Sequence, residues 1–279
     1  MLSLTIAIPV RNEEKNLRQC LQAIGTEFAE SIVVIDSDSN DKTPEIAYQY
    51  NADLINFQWD GRFPKKRNWF LIQHKPDTEW VLFLDADEIL TEEVKREISA
   101  ALPESSHQGY LLSYTNYFLG KRLKGGYPLR KVALFRVGEV EYERIEENRW
   151  SKCDMEVHEH PMLTGSIGVI HSHIDHRDFR GIESYINKHN EYATWEAQRL
   201  FQYKSKQRSK PKWKPHQRLK YSLLTTPWGG LAFFFGSFFG MGGWRDGSIG
   251  FAFSLLKAAY FTQIACKLRE LELKQKGIV

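Results

Sequence analysis

The sequence lacks several features that would place it quickly in a class of proteins. Its 279 residues include three cysteines, Cys20, Cys153 and Cys266, which are scattered and odd in number. They offer neither a disulfide framework nor a zinc-site spacing, a pattern typical of a reducing compartment. The formal net charge of +3 is too small to indicate bulk nucleic-acid binding. Residues 1–4 lack a basic region and a cleavage site, so we expect no signal peptide.

Apolar and aromatic residues, by contrast, are plentiful. Hydrophobic residues make up 42% of the chain and aromatic residues 13%, which suits a folded core and excludes a disordered chain. Short apolar runs alternate with helical spacing over the first 90 residues. The predicted strands cover residues 2–10, 31–35, 52–57 and 80–84, and the predicted helices follow Asn12 as N-cap and cover residues 43–50 and 63–74. This rhythm predicts an α/β fold, with a mostly parallel sheet and helices on both faces.

The most informative segment runs from Trp80 to Glu88. Five apolar residues lead directly into Asp85 and Asp87. Side chains two apart on an extended chain point the same way, so both carboxylates can face one spot. Ligands of parallel sheets bind at the carboxyl ends of strands, and buried carboxylates need a partner. The pair therefore predicts a hard divalent cation carrying phosphate oxygens, and the alternative is an Asx turn that closes the strand.

Two other segments add chemistry near the ends of predicted elements. Asp36 and Asp38 follow the second strand, and Asp36 is suited to accept hydrogen bonds from a base or a ribose. The alternative there is helix capping by Asp41 or Thr43. Residues 65–67 place three cations at a helix start, whose N–H groups and dipole favour a diphosphate. The alternative is a solvated basic face.

These motifs together resemble bacterial glycosyltransferase family 2, which has the GT-A fold, over residues 3–90. The matching segments are Ile6–Glu14, Val33–Thr43, Lys66–Asn68 and Leu82–Glu88. The resemblance implies a metal-dependent hexosyltransferase with a nucleotide-sugar donor, usually a UDP-sugar. It assigns the nucleotide to Pro9, Arg11, Glu13, Asp36, Asp38, Lys66, Arg67, Asp85 and Ala86. It assigns Mg²⁺ or Mn²⁺ on the diphosphate to Asp85 and Asp87.

After about residue 105 the pattern changes, with predicted strands at 109–118 and 132–137 and one helix at 180–203. This half resembles the branch that contains lipopolysaccharide-core glucosyltransferases. The matching segments are Gly125–Pro128, Leu134–Arg136, Val157–Glu159 and Lys188–Tyr192. The branch usually joins its arginine directly to Leu-Phe, whereas Arg130 is separated from that pair here. The resemblance places Gly126, Tyr127, Arg130 and His158 on the acceptor side.

A catalytic base is also expected from this half of the chain. Displacement at an anomeric carbon needs a carboxylate or a histidine to take the acceptor hydroxyl proton, an effect worth about 10²–10⁴-fold. The candidates are Asp154, Glu156, His158 and Glu159, and Glu159 fits the family pattern best. We expect inversion at the anomeric carbon. The alternative is that Glu159 is a structural carboxylate paired with Arg130 or Arg149.

Histidines are unusually dense between residues 158 and 189. His158-Glu159-His160 does not supply the His-Glu-x-x-His spacing of a zinc protease. One histidine of this set is a candidate to complete the shell of the donor metal, as in some GT-A enzymes. The alternative is a structural or acceptor-side role for each of them.

The last third of the chain is basic and then strongly apolar. Residues 199–220 hold nine Lys/Arg and no acid, and residues 221–244 hold no charge. Pro227 and six glycines in the apolar stretch predict broken helices lying in a membrane interface, anchored by Trp213, Trp228 and Trp244. The basic run would attract anionic headgroups. The alternatives are a true membrane span, which 24 residues permit on count, and soluble packing on the core or in a dimer.

We therefore predict a catalytic domain at residues 1–205, with a donor half at 1–105 and an acceptor half at 106–205. Residues 206–279 form the predicted membrane appendage. The expected activity is hexose transfer from a UDP-sugar to a hydroxyl of a lipid-linked glycan or lipopolysaccharide core. The expected location is the cytoplasmic side, peripheral on the inner face of the plasma membrane. The rival functions are a polyprenyl-phosphate glycosyltransferase and a catalytically silent membrane-bound binding module.

Overall fold

The protein is described here by a computed structural model, which covers residues 1–147, 150–156, 159–205, 221–223, 225–226 and 228–278. The chain divides into two compact units. The first consists of Met1–Asn116 and Leu129–Asp178, and the second of Tyr117–Pro128 and Phe179–Val279. The predicted functional boundary at residue 205 stays a prediction, because the compact units divide the chain elsewhere.

The first unit is built on an eight-stranded sheet. Its strands are β1 (Leu2–Val10), β2 (Ala29–Asp36), β3 (Asp53–Asn56), β4 (Trp80–Phe83), β5 (Glu88–Ile89), β6 (Gly109–Thr115), β9 (Leu129–Arg136) and β12 (Ile167–His176), in the order β3-β2-β1-β4-β9-β6-β12-β5. The first four strands run parallel, which confirms the predicted βαβ rhythm. Strand β9 is antiparallel to both neighbours, so the sheet is mixed in its second half.

Helices cover both faces of this sheet, as predicted. They are α1 (Leu17–Ile24), α2 (Thr43–Gln49), α3 (Lys66–Gln73) and α4 (Glu92–Ala101). Alternation along β1 explains the two layers, since Leu4, Ile6 and Ile8 belong to the core that includes α1, α2 and α4. Ala7 points to the opposite core, which includes Phe70 of α3. A two-stranded ribbon, β10 (Glu141–Tyr142) with β11 (Pro161–Met162), completes the unit.

The predicted N-cap at Asn12 is wrong. Asn12 has φ of 56°, and α1 begins only at Leu17, after Asn16. The Asn12 side chain accepts a hydrogen bond from the Asn40 backbone N–H at 2.8 Å. Its short polar side chain therefore joins two loops, in a backbone conformation that asparagine tolerates better than most residues.

In the residues that the structure describes, the second unit consists of helices, their connecting turns and a small hairpin, β7 (Tyr117–Phe118) with β8 (Lys121–Arg122). Its helices are α5 (Gly181–Lys204), α6 (Trp228–Phe235) and α7 (Gly247–Gln275), with a π-helical turn at Gly236–Gly240 and a 3₁₀ turn at Gly243–Asp246. Helices α5 and α7 share a core that includes Ala197, Leu200, Ile264 and Leu268. The apolar segment is broken between α6 and α7, as its glycines predict.

One helical stretch among the described residues, Gly243–Gln275, is long and apolar enough to cross a membrane by length and composition. Its most apolar window has a mean hydropathy of 1.3, and 39% of that window is buried within the protein. A core helix of a soluble protein meets the same two criteria, so length and composition do not decide between a span and a packed helix.

Candidate active site

The candidate site lies where the parallel strands of the first unit end. Val10 of β1 is the register partner of Asp36 of β2, and Ala7 is the partner of Phe83 of β4. Asp85 follows two residues after the end of β4. The carboxyl ends of three neighbouring strands therefore bring Asp36 and Asp85 to one edge of the sheet, as the sequence predicts.

Two cations hold the carboxylate of Asp85. Arg67 Nη2 lies 2.9 Å from Asp85 Oδ1, and Lys131 Nζ lies 2.9 Å from Oδ2. Lys131 also contacts Glu88 Oε1 at 2.5 Å, and Glu88 Oε2 accepts from the Asp85 backbone N–H at 3.0 Å. The four side chains form one network, which fixes both the backbone and the side chain of Asp85.

Burial sets the charge balance of this network. It raises the pKa of Glu88 to about 8, while Lys131 opposes the shift. Burial also works against the charge of Lys131, but the carboxylates of Asp85 and Glu88 outweigh it and raise the pKa of Lys131. Lys131 Nζ lies 4.8 Å from the ring centroid of Tyr114, a second contact that favours its cationic form.

Asp87 has different neighbours. Its Oδ1 lies 3.6 Å from Nε2 of His176, the last residue of β12, and its carbonyl accepts from the Arg177 backbone N–H at 2.7 Å. The sequence prediction that the carboxylates of Asp85 and Asp87 face one spot assumed an extended chain. The chain instead turns here, with Glu88 N–H donating to the Asp85 carbonyl at 2.9 Å. The assumption of an extended chain from Asp85 to Asp87 is therefore wrong.

Asp87 and His176 fit a divalent cation that is held mainly by its substrate. Among the residues that the structure describes, no group of three or more His, Cys, Asp or Glu could hold a metal. Asp87 and His176 offer one carboxylate and one imidazole close together, whereas Asp85 is paired with Arg67 and Lys131. Mg²⁺ in nucleotide sites commonly uses one or two carboxylates, with phosphate oxygens and water completing the shell. A mixed oxygen and nitrogen pair suits Mn²⁺ better than Mg²⁺.

All three cations at the start of α3 are buried and paired with acids. Lys65 contacts Glu159 at 2.9 Å and also contacts Glu147. Lys66 donates to the Val10 carbonyl at 3.0 Å, and its Nζ lies 3.2 Å from Asp154 Oδ2. Burial lowers the pKa of Lys66 although Asp154 opposes the shift. The alternative of a solvated basic face is therefore wrong.

Glu156 occupies the N–H groups at the start of α3. Its Oε2 accepts from the Arg67 backbone N–H at 2.9 Å, and its Oε1 accepts from the Asn68 N–H at 3.0 Å. A protein carboxylate therefore already binds two N–H groups of this helix start, and the place of Lys66 and Arg67 at a diphosphate stays a prediction. Burial raises the pKa of Glu156 despite the charge of Arg67, and the double hydrogen bond makes Glu156 a helix-capping carboxylate.

The other candidate bases also lie in ion pairs. Asp154 Oδ2 accepts from Ser37 Oγ at 2.6 Å, besides its contact with Lys66. Burial works against the charge of Asp154, but the charge of Lys66 and the hydrogen bonds from Ser37 and Lys66 together outweigh it, so the pKa of Asp154 is lowered. Glu159 is buried against Lys65, whereas the partners expected for it were arginines. Of those, Arg130 is exposed and Arg149 lies outside the described residues.

The remaining residues that the resemblance assigns to the nucleotide lie at or after the ends of β1, β2 and β4. Pro9 lies on β1 beside Ile35, Arg11 is exposed just after the strand, and Ala86 is buried. The Asp36 carboxylate accepts from the Ser39 hydroxyl and backbone N–H. Three further contacts stabilise these loops, namely Asn16 Nδ2 to Glu13 Oε2 at 2.8 Å, Asn56 Nδ2 to Asp38 Oδ1 at 3.0 Å, and Thr43 N–H to Asp41 Oδ1 at 3.0 Å.

The predicted acceptor residues are distributed over the chain. Arg130 belongs to the first unit, on β9, whereas Gly126 and Tyr127 belong to the second unit. His158 lies outside the described residues. Lys131 and His176 were not predicted individually, since no local motif distinguishes them. Only the pairing of β5 with β12 and the position of β9 bring them to the Asp85-Ala86-Asp87 turn, whereas Glu88 follows that turn directly in the sequence.

Comparison with known proteins identifies a family that this chain matches. Residues 5–157, more than half of the chain, match the family model described as Glycosyl transferase family 2. An uncharacterized glycosyltransferase of Rickettsia typhi is 25% identical over 287 residues, covering 100% of this chain and 91% of that protein. The glycosyltransferase SunS of Bacillus phage SPbeta is 33% identical over 99 residues, 35% of this chain and 23% of SunS.

Other matches are partial or distant. A TPR repeat-containing protein of Synechococcus elongatus is 33% identical over 104 residues, and the chain spans only 25% of its length. Among solved structures, S. aureus TarS 1–349 in complex with UDP-GlcNAc aligns over 99% of this chain and 92% of that chain. Its sequence identity is 16% and its TM-score 0.45.

Proposed function

This chain belongs to glycosyl transferase family 2, and we propose that it transfers a hexose from a UDP-sugar to a hydroxyl of a lipid-linked glycan or lipopolysaccharide core. The observation that supports this proposal most is that Asp87 Oδ1 and His176 Nε2 lie 3.6 Å apart, beside the fixed carboxylate of Asp85. Family membership supports the reaction class. That the sugar is a hexose, that the donor carries UDP, and that the acceptor is lipid-linked are parts of what we propose.

In this proposal, Asp87 and His176 hold Mn²⁺ or Mg²⁺, which neutralises charge on the leaving diphosphate when bound. Asp85 stays paired with Arg67 and Lys131, so its role is to keep the turn that carries Asp87 in place. Lys66, anchored on the Val10 carbonyl, and Arg67 supply positive charge at the same edge. Asp36 accepts a hydrogen bond from the nucleoside in exchange for its bond from Ser39.

The proposed base is Glu159. Its ion pair with Lys65 must loosen before Glu159 can accept a proton. Lys65 bridges two carboxylates, Glu159 and Glu147. Burial works against its charge, but Glu159 and Glu147 outweigh it and raise the pKa of Lys65, so Lys65 stays cationic. A shift of Lys65 toward Glu147 would allow Glu159 to take the acceptor hydroxyl proton, with inversion at the anomeric carbon.

The test of the base compares Glu159→Gln with Glu147→Gln. We expect Glu159→Gln to lower kcat by about 10²–10⁴-fold while the KM for the UDP-sugar changes little. Glu147→Gln should lower kcat by less, because it weakens the carboxylate toward which Lys65 shifts but leaves the base in place. Thermal melting checks that both variants fold. A kcat for Glu159→Gln equal to that of Glu147→Gln would make Glu159 a structural ion-pair carboxylate.

We also propose that the second unit contacts an anionic membrane surface, peripherally and in the plane of the interface. Trp228, Leu231, Phe235 and Phe239 are 52–70% exposed and recur at one helical face. We call these four residues the apolar face. Of the basic run at 199–220 that was predicted to assist, Arg199 is buried, and residues 206–220, with Trp213, lie outside the described residues.

Co-sedimentation with vesicles of phosphatidylcholine and phosphatidylglycerol tests this contact. The unmodified protein should bind at low salt, and a Trp228→Ser/Phe235→Ser/Phe239→Ser variant should lose most of the binding. Tyr48→Ser, an exposed aromatic of α2, is the matched control. Equal binding by the apolar-face variant, or no binding by the unmodified protein, would remove the membrane contact and leave packing in a dimer.

A further inference from the structure

Asp246 is a buried carboxylate that accepts hydrogen bonds from a loop far from it in the sequence. It is 3% exposed and occupies the N-cap position of α7, yet its side chain makes no capping hydrogen bond to that helix. Its Oδ2 instead accepts from the Lys124 backbone N–H at 2.9 Å and the Gly125 N–H at 3.0 Å. An N-cap aspartate normally accepts from the first turn of its own helix, so this carboxylate acts on residues 117–128.

Glycines allow the two backbones to meet at this point. A Cβ on Gly125 would lie 2.1 Å from the Gly242 carbonyl oxygen, so no larger residue fits there. Gly126 N–H donates to the Met241 carbonyl at 2.9 Å, and Gly126 has φ of +87°, which favours glycine. We call Tyr117–Pro128 the glycine loop. Three backbone N–H groups, at residues 124–126, hold it to the turn at 241–246.

The turn at 241–246 also packs directly against α7, the helix that follows it. A Cβ on Gly250 of α7 would lie 2.0 Å from the Gly243 carbonyl oxygen, so the turn and the first residues of α7 are in direct backbone contact. The ring of Tyr127, in the glycine loop, lies 5.7 Å from that of Phe233 in α6. The loop, the turn and both helices therefore form one packed assembly within the second unit.

The same turn and the π-helical turn before it, Gly236–Gly240, carry exposed apolar side chains. Phe239 and Trp244 are each 58% exposed, and Met241 is 47% exposed. Met241 accepts from Gly126 through its backbone while its side chain faces solvent. A surface that binds these side chains would therefore hold the backbone groups that bind the glycine loop.

We propose that Asp246 is a positioning residue, which couples seating of the turn on a lipid surface to the conformation of the glycine loop. The acceptor role of that loop rests on the proposed function. The coupling itself rests on the Asp246 hydrogen bonds and the glycine contacts. Exposed aromatic and methionine side chains beside an uncharged segment suit the acyl and headgroup boundary of a bilayer.

Hydrogen–deuterium exchange tests the positioning step in the full-length protein. In Asp246→Ala, amides 124 and 125 should exchange about tenfold faster, because a charge-assisted acceptor is lost. In Asp246→Asn the side-chain carbonyl still accepts from both N–H groups, so exchange should stay near that of the unmodified protein. A peptide over residues 80–90 in the first unit is the internal control. Unchanged exchange at 124 and 125 in Asp246→Ala, with that peptide also unchanged, would overturn the assignment.

Vesicles of phosphatidylcholine and phosphatidylglycerol at three to one test the coupling. They should protect residues 228–244 in every variant, and residues 120–128 only in the unmodified protein and Asp246→Asn. Protection of 228–244 without 120–128 in the unmodified protein would overturn the coupling, as would absence of any protection.

Kinetics then separate this proposal from the proposed function. With rough-type lipopolysaccharide as acceptor probe, Asp246→Ala should raise the acceptor KM roughly fivefold or more while the UDP-sugar KM stays within about twofold. Asp246→Asn should restore the acceptor KM. If the unmodified protein turns over no UDP-sugar, the proposed function fails, and the exchange data still decide the role of Asp246.

Discussion

Single side chains at the candidate site differ in how far the sequence could predict them. Asp85 and Asp87 follow a buried apolar run, so their place at the carboxyl edge of the sheet was predictable. Their neighbours Lys131 and His176 were not, because they lie 46 and 89 residues away from their respective aspartates in the sequence. Only the order of β4, β9 and β12 in the sheet brings these groups together.

Lys131 is therefore expected to be essential for stability as well as for the site. In Lys131→Met, Asp85 keeps Arg67, but the buried Glu88 loses its charged hydrogen-bond partner, which should cost about 1.5–3 kcal/mol of unfolding free energy. Urea denaturation measures this loss. The control is Arg96→Ala, which removes an exposed pair with Glu93 and should change stability by less than about 1 kcal/mol. Similar losses in both variants would contradict the account of the buried network.

Secondary-structure elements were predicted well where one pattern decided them. Strand β1 matches its predicted bounds, because nine residues of uninterrupted strand pattern leave no alternative. Helix α3 begins at Lys66 rather than Phe63, since Pro64 and its neighbours form a loop before it. The acid that caps α3, Glu156, lies about 90 residues downstream, and no local signal could indicate it.

The packing of α5 against α7 predicts a pH dependence of stability. Burial, followed by the charge of Lys188, lowers the pKa of Lys257 to about 8 from 10.5. His189 Nε2 accepts from Lys257 Nζ at 2.9 Å while its Nδ1 donates to the Tyr185 carbonyl. The folded state binds the Lys257 proton less tightly than the unfolded chain, so this group lets stability rise between about pH 8 and 10.5.

The variant Lys257→Met removes this contribution. Within this range, the variant should gain most in unfolding free energy over the unmodified protein at pH 8. That difference should shrink by on the order of 1–3 kcal/mol by pH 10.5. Chemical denaturation across that range measures the slope. Lys274→Met, an exposed residue of the same helix paired with Glu270, should show no such slope. Parallel curves for the two variants would contradict burial of a charged Lys257.

At the scale of the whole molecule, the compact units divide the chain at points other than the functional boundary predicted at residue 205, which stays a prediction. The sequence pattern changes at residue 206, from a helix to a basic run, and composition alone suggested an appendage there. The second compact unit instead takes in α5 and the glycine loop. Long-range backbone contacts made by glycines have no signature in composition or periodicity, which is why the sequence did not reveal this division.

A chain truncated after Ser205 should therefore be damaged beyond loss of membrane contact. It exposes Ala197 and Leu200 of α5, which share a core with Ile264 and Leu268, and each buried leucine or isoleucine lost costs roughly 1.5–3 kcal/mol. We expect aggregation in size-exclusion chromatography and fast exchange over residues 117–128 and 181–204. A monomeric truncation with exchange like that of the full chain would support a separable appendage.

The central claim is that the Asp85-Ala86-Asp87 turn is the donor site of a metal-assisted transferase, with Asp87 and His176 holding the cation. UDP release from a panel of UDP-sugars, measured with Mn²⁺ and after chelation, tests it most directly. We predict Mn²⁺-dependent release that falls at least about 100-fold in Asp87→Ala and in His176→Ala, with weaker Mn²⁺ binding in both. The exposed control Asp77→Ala should release UDP at the unmodified rate. Undiminished release by Asp87→Ala, or full release under chelation, would contradict the claim.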